Sequence, residues 1–291
     1  NRDEVLGIIE ALDGLPLAIE LAAARLHLMS LSEIQSRLKH RFKLLKNVGS
    51  NHESRHRTLA AAVDSSWELL SPWEQSALAQ VSVFQGGFDW EAVEEIVDLS
   101  PWPDAPWNLD VVSTLVERSL IEVVEHPQRS VRLEMLSTIQ AYAEARLAEA
   151  PADEVSGVRL RHVKHFSQYG AYGMRGILST RKGLPLRRQL QGEVDNIAVA
   201  LQRAIANEWG PESVACLSLI IGIGPAKSHI RILDLEDSIL GLSLSAQDRA
   251  LALYQLTSSL RGDQPIKCLQ YLDEAYTIAE GLNDVEQLCR I

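Results

Sequence analysis

Two histidine pairs in the chain have spacings that a metal ion could use. His52 and His56 stand four apart, and His162 and His165 stand three apart, so on a helix each pair would share a face. A zinc site needs three or four ligands. Neither pair has an obvious third donor, and the first lies in a polar linker, so no metal is expected. The basic clusters Arg159 to His165, Arg181-Lys182 and Arg187-Arg188 could take phosphate, although charge runs more often form solvated helix faces. No local Ser/His/Asp or Cys/His signature stands out, and no G-x-x-x-x-G-K-[ST] phosphate loop occurs. What remains is the turn Asp13-Gly14-Leu15-Pro16 and the run Leu17 to Leu26. Gly14 lets a turn approach another group without a Cβ clash. Pro16 fits the first position of a helix. The helix that follows is apolar almost all round and must be buried on several sides. Gly183-Leu184-Pro185-Leu186 repeats the four letters without the Ala-rich helix behind them.

The elements that would position these residues are bounded by composition. At 291 residues the chain is one large domain or two to three small ones. Its net charge of −11 gives no global field for nucleic acid or an anionic membrane. No apolar run approaches the roughly 20 residues of a membrane span, and no signal peptide opens the sequence. Cys216, Cys268 and Cys289 are few, odd in number and far apart, which suits a reducing cytoplasm.

Periodicity fills in the rest. Glu4 to Leu12, Pro16 to Leu28 and a helix capped by Ser32 open the chain, followed by a linker over Asn47 to Ser54. Leu59, Val63, Trp67 and Leu70 mark one helical face, which puts Trp67 in a core; Trp73, Ala77, Val81 and Phe84 mark another. Gly86-Gly87 stops that helix, and Asp89 caps the next, Trp90 to Val97. Pro101, Pro103 and Pro106 enforce a loop before a helix over Val111 to Arg118. A hairpin follows, Leu120 to Glu125 and Val131 to Met135, turning at His126 to Arg129. Ser137 to Gln140 reads as a capping box opening a helix to about Glu149. Three helices, a hairpin and a helix are a winged-helix order. Past Pro151 the pattern is wholly helical. Leu186 to Ile205 reads as one long amphipathic helix, and Ala250 to Leu260 with Ile266 to Glu280 as a helical hairpin. Cys268, Leu272 and Ala275 have the small–large–small spacing of a tetratricopeptide-type unit. The last hairpin should be under-covered through Leu253, Leu256, Leu269, Leu272 and Tyr276, unless a second copy of the chain covers it as a homo-oligomer.

The stretch from Gly14 to Leu26 resembles the GLPL motif of the STAND class of signal-transduction ATPases, in its NB-ARC-like bacterial branch. The order of the later blocks supports the resemblance: Arg55 to Trp67, Leu69 to Gln75, Val83 to Phe88, Leu115 to Ile121 and Thr138 to Ala143. The resemblance implies a mainly α chain in three parts: a helical lid over 1–50, a winged helix over 51–150, and a tetratricopeptide-like repeat arm over 151–291. Gly14 and Pro16 would then contact a nucleotide, ATP or ADP with magnesium, in the full-length protein. The phosphate loop and the magnesium-holding acidic strand would precede Asn1. Related plant and animal proteins carry Met-His-Asp where this chain has Met135-Leu136-Ser137, and Leu136 cannot sense a phosphate.

The implied function is an ATP-driven regulatory switch in transcriptional or signalling control. Its partners would be an upstream nucleotide-binding domain and a protein or small-molecule inducer on the arm. The mostly apolar and acidic helix Asp110 to Arg118 speaks against direct nucleic-acid binding. The alternatives are a helical-repeat scaffold without switching and a DNA-binding winged-helix regulator. By itself this chain is expected to bind little or no nucleotide and not to act as an enzyme. It should release no phosphate from ATP, because no phosphoryl clamp is present; release above a heat-inactivated control would contradict this.

Overall fold

The structure, a computed structural model, describes residues 2–11, 30–37, 66–126, 129–171, 180–223, 232–260 and 264–288, with single positions 19, 23, 26, 63, 64 and 178 between them. Gly14, Pro16, most of the helix Pro16 to Leu28, Leu59, the linker 47–54, His52, His56 and Cys289 lie outside the described residues. Among the described residues the chain is mainly helical with one two-stranded antiparallel sheet. It divides into two units, Asn1–Val158 and Arg159–Ile291.

In the first unit, α1 (Arg2–Ala11) packs on α2 (Leu31–Arg37). The cap of α2 is Ser30, not Ser32. The Ser30 N–H donates to Glu33 Oε2 at 2.9 Å, and the Ser30 hydroxyl accepts the Glu33 N–H at 3.3 Å. Glu33 sits three residues after Ser30, which closes a capping box there and leaves Ser32 inside the first turn. α3 (Pro72–Val81) opens the same way, with the Ser71 N–H donating to Glu74 at 2.6 Å and Pro72 at the first helical position. α4 (Trp90–Ile96) is capped by Asp89, which accepts the Ala92 N–H at 2.9 Å. α5 (Asn108–Glu117) follows the proline loop. β1 (Glu122–His126) and β2 (Arg129–Glu134) pair with Val123 opposite Leu133. α6 (Ser137–Ala148) completes the winged-helix order.

Ser137 is the first residue of α6, and Leu136 occupies the cap position with no side-chain bond. Gln140 does not reach back to close a box. Its amide donates to the carbonyl oxygens of Phe84 and, at 3.3 Å, of Ser82. Those carbonyls belong to the unwinding end of α3, so the side chain satisfies acceptors that a helix terminus leaves open.

The wing is fastened to the helices through Phe88. Phe88 and Leu133 exchange both backbone bonds, at 2.9 and 2.8 Å, and Phe88 stacks on Phe84 at 4.5 Å. Arg132 is 4% exposed and donates to the carbonyls of Gly86 (2.9 Å) and Gly87 (3.0 Å). Gly87 has φ +84°, and a Cβ there would come within 2.8 Å of the Leu133 carbonyl oxygen.

Trp67 is half-buried rather than central to the core. It meets Tyr142 edge-on at 5.7 Å, and the Arg146 guanidinium lies 5.7 Å from its ring. Arg146 also donates to Tyr142 Oη at 2.7 Å and to Asp64 at 3.1 Å. Burial and the bond to Asp64 push the Tyr142 hydroxyl up to about 12. The helix that carries Trp67 is thus held to α6 by a polar clasp over a ring face.

In the second unit, α7 (Ala152–Ser167) ends and is followed by α8 (Leu184–Gln191), α9 (Val194–Ala206), α10 (Gly210–Ile223), α11 (Glu236–Leu240), α12 (Ala246–Leu260), α13 (Pro265–Gly281) and α14 (Val285–Leu288). The single long helix expected over Leu186 to Ile205 is two helices. Gly192 ends α8, and the buried Glu193 opens α9 by accepting the Asn196 side-chain amide at 2.8 Å. The apolar phase survives the break because Leu190, Val194, Ile197 and Leu201 are all buried. α9 packs on α10, α10 on α12, and α12 on α13. Leu253 and Leu256 are fully buried in that stack, so the expected under-coverage does not reach α12.

Gly87→Ala should lower stability by about 2 kcal/mol, since a side chain at this φ is strained and the neighbouring backbone cannot yield. Trp67→Ala should cost about 2 kcal/mol, below the roughly 3–5 kcal/mol of a fully buried tryptophan. Denaturant melts of both variants against the parent check the two values.

Candidate docking surfaces

Winged helices read DNA with the exposed side of the third helix. In α5 the apolar residues Val111, Val112 and Leu115 are buried. That leaves Asp110, Ser113 and Glu117 exposed, with Thr114 half-exposed. The two hydroxyls are already used: Ser113 donates to the Leu109 carbonyl at 2.7 Å and Thr114 to the Asp110 carbonyl at 3.0 Å. Arg118 at the helix end is directed to the Leu69 carbonyl (3.3 Å) and to Glu74 (3.7 Å). Glu122, Val123 and Glu125 of β1 are exposed as well. The face therefore offers carboxylates where phosphate contacts would need cations. Trp107, immediately before α5, is 60% exposed. Large exposed aromatics of this kind serve as anchors in protein interfaces. Sequence reading found the acidic helix but missed Trp107, although Pro106 directly before it was a signal that the chain there runs outside the core.

The second unit carries an open cleft of about 530 Å³. Its walls are the end of α7 with the turn Gln168–Gly170, the first turn of α10 and the first turn of α12. Lys164, Glu212 and Asp248 bring charge of both signs to it, and Leu251 and Ala215 supply an apolar floor. The turn can lie this close to α10 because residue 170 is glycine; a Cβ there would sit 1.9 Å from the Ala215 carbonyl oxygen. These cleft residues are scattered over three segments, and no local spacing announces them.

The predicted histidine pair is resolved differently. His162 and His165 are both buried, and each ring meets Phe166 edge-on, at 5.1 and 4.7 Å. Among the described residues no three His, Cys, Asp or Glu side chains converge to hold a metal. Burial first, and then the nearby Arg203 cation, hold His162 well below its ordinary 6.5, against a smaller opposing influence of Asn196. Burial pushes the Cys216 thiol up. The basic pair Arg181-Lys182 and Arg188 are exposed, whereas Arg187 donates to the Ile223 carbonyl at 3.2 Å, beside Gln191 at 2.7 Å. Part of this basic run thus closes the open end of α10. No helix among the described residues is long and apolar enough to cross a membrane.

Comparison with known proteins agrees with the wing geometry. Residues 70–148 match the winged helix-turn-helix domain family. The whole chain aligns, at 29% identity over 308 residues, with a third of a Mycobacterium tuberculosis protein provisionally named an HTH-type transcriptional regulator. A Mycobacterium bovis protein with the same provisional name matches to the same extent. A second, uncharacterised M. tuberculosis protein is 34% identical over 161 residues, covering 55% of this chain and 40% of its own length. The chain spans about a third of the length of the first of these relatives. No solved structure matches it at a significant level.

His162 sets a pH dependence whose sign is fixed. Its pKa is lower folded than unfolded, so the unfolded chain binds the extra proton first. Stability should be full above pH 6.5 and fall as the pH drops below it, by up to about 1.4 kcal/mol per pH unit. His162→Gln should flatten that slope between pH 6.5 and 5 in denaturant titrations.

Proposed function

We propose that this chain is the relay and sensor portion of a transcriptional regulator that works as an ATP-dependent switch. The winged helix would pass the state of a nucleotide-binding domain elsewhere in the protein to the helical arm, and the arm would bind the inducer. The observation that carries this reading is the face of α5. Asp110, Glu117 and exposed Trp107 suit a protein surface better than a phosphate backbone. Coupling of this kind requires two states that nucleotide and inducer both bias. The cleft between α7, α10 and α12 is the candidate seat for a small inducer with both an amine and an acid group, since Lys164, Glu212 and Asp248 all line it. The resemblance to STAND ATPases and to tetratricopeptide arms belongs to this reading, as do the lid roles of Gly14 and Pro16.

A second reading has its own support. The winged helix-turn-helix match and the names of the mycobacterial relatives point to DNA binding by the same module. The two readings separate in a gel-shift titration with a labelled duplex at about 50 and 200 mM salt, a range over which phosphate-driven binding weakens steeply. The relay reading expects no shift at micromolar protein at either salt. A shift that fades with salt and is lost on substitution in α5 would favour DNA binding and set the relay reading aside. In the full-length protein, the relay reading also expects exchange of ADP for ATP to alter hydrogen-exchange protection of α5.

A further inference from the structure

α13 is 17 residues long and buries a row of small side chains against α12: Cys268, Ala275 and Ala279. Half-buried Tyr271 and Ile278 flank that row and pack on the same cluster. At 100° per residue a second band lies about 120° round the helix from that row. It holds Ile266, Leu269, Asp273, Tyr276 and Glu280, all exposed. Ile266 is 75%, Leu269 66% and Tyr276 46% exposed, and Leu282 at the helix end is 46% exposed. Among the described residues this is the densest run of large apolar side chains facing water. An isolated apolar residue at a surface needs no explanation, but an ordered stripe along four turns does.

The charges around the stripe are one-sided. Lys267 is bonded to the buried Glu236, which Tyr271 also contacts. Burial alone would raise Glu236, and those two partners hold it below its ordinary value. Arg249 on α12 is paired with Glu274 at 2.8 Å. Among the described residues the cations Lys267 and Arg249 are thus engaged within the arm, and the charges standing in the stripe are Asp273 and Glu280. A second copy is a poor cover for this surface. An antiparallel twofold pairing centred on the stripe would set Asp273 against Asp273 and Glu280 against Ile266. A helix with aliphatic residues at i, i+3 and i+7 and lysine or arginine beside them meets both the apolar and the acidic parts.

We propose that the outer face of α13 is a docking site for a basic amphipathic helix of a partner protein. The proposal rests on the reading of the arm as a partner-binding element and names the surface and the partner's chemistry. The probes are two labelled helical 18-residue peptides with the same leucine stripe, one flanked by lysines and the other by glutamates, followed by fluorescence anisotropy on the intact chain. The lysine peptide should bind at least about tenfold more tightly at low salt, and the preference should shrink as salt screens it. Asp273→Lys with Glu280→Lys should reverse the order of the peptides. Leu269→Ser with Ile266→Ser should abolish both interactions while leaving the thermal melt unchanged, because these side chains face water. Equal binding of the two peptides, no binding, or binding untouched by these substitutions overturns the proposal. A dimer in sedimentation that Leu269→Ser dissolves overturns it in favour of a second copy. Lysine-peptide binding lost on Lys164→Glu or Glu212→Lys, but not on the α13 changes, would overturn this site while sparing the arm reading.

Discussion

The first unit depends on one buried cation. Arg132 leaves β2 pointing inward and spends its guanidinium on the carbonyls of Gly86 and Gly87, the residues that carry the chain from α3 toward α4. A guanidinium out of water is tolerated only when its donors are satisfied, so the wing strand, the glycine turn and the helix ends must take up their positions together. The Phe88–Leu133 backbone pair is the other half of this arrangement. It adds a third short segment beside β2 and brings Phe88 onto Phe84. The small sheet then becomes a continuation of the helical core instead of an isolated hairpin, which by itself would be marginal in water.

The second unit is organised differently. Its helices cover one another in series, and no single contact spans the whole array. Glycine and small side chains set the spacing: Gly170 admits the turn at the end of α7 onto α10, and Cys268, Ala275 and Ala279 let α13 lie close to α12. An array of this kind is built from nearest-neighbour terms, so it tolerates a face that differs from one protein to another. The cleft and the α13 stripe both lie on such faces.

Much of the winged helix was legible in the sequence because its signals are local. Asp89 as a cap and the alternation of Val131 and Leu133 each act within a few residues, whereas Gly86-Gly87 does not stop α3, which already ends at Val81. The misreadings have a common form. Ser32, Ser137 and Gln140 were given local partners, whereas the structure uses Ser30 for the first cap and sends Gln140 across to the end of α3. Leu186 to Ile205 kept one apolar phase through Gly192, so periodicity alone could not show the break. Trp67 looked like core because hydrophobic spacing does not tell a central position from one at the rim under an arginine. The surfaces with most bearing on function were the least legible. Trp107 is exposed by the proline loop before it, and the cleft collects residues from segments running from Lys164 to Leu251. Side-chain direction at such sites is set by tertiary packing, which no window of a dozen residues contains.

The exposure of Trp107 has an optical consequence. The chain has six tryptophans, and the other five are partly shielded by the fold. Indole emission depends on the polarity around the ring, so Trp107 should contribute the red edge of the spectrum and be the first reached by a dissolved quencher such as acrylamide. Trp67 lies under the Arg146 cation and beside Tyr142, a different electrostatic setting that gives it a separate signal. The first unit thus carries two distinct intrinsic dyes, one at the start of α5 and one at the seam with α6. Covering the first or opening the second would change the colour of the emission without any label being attached.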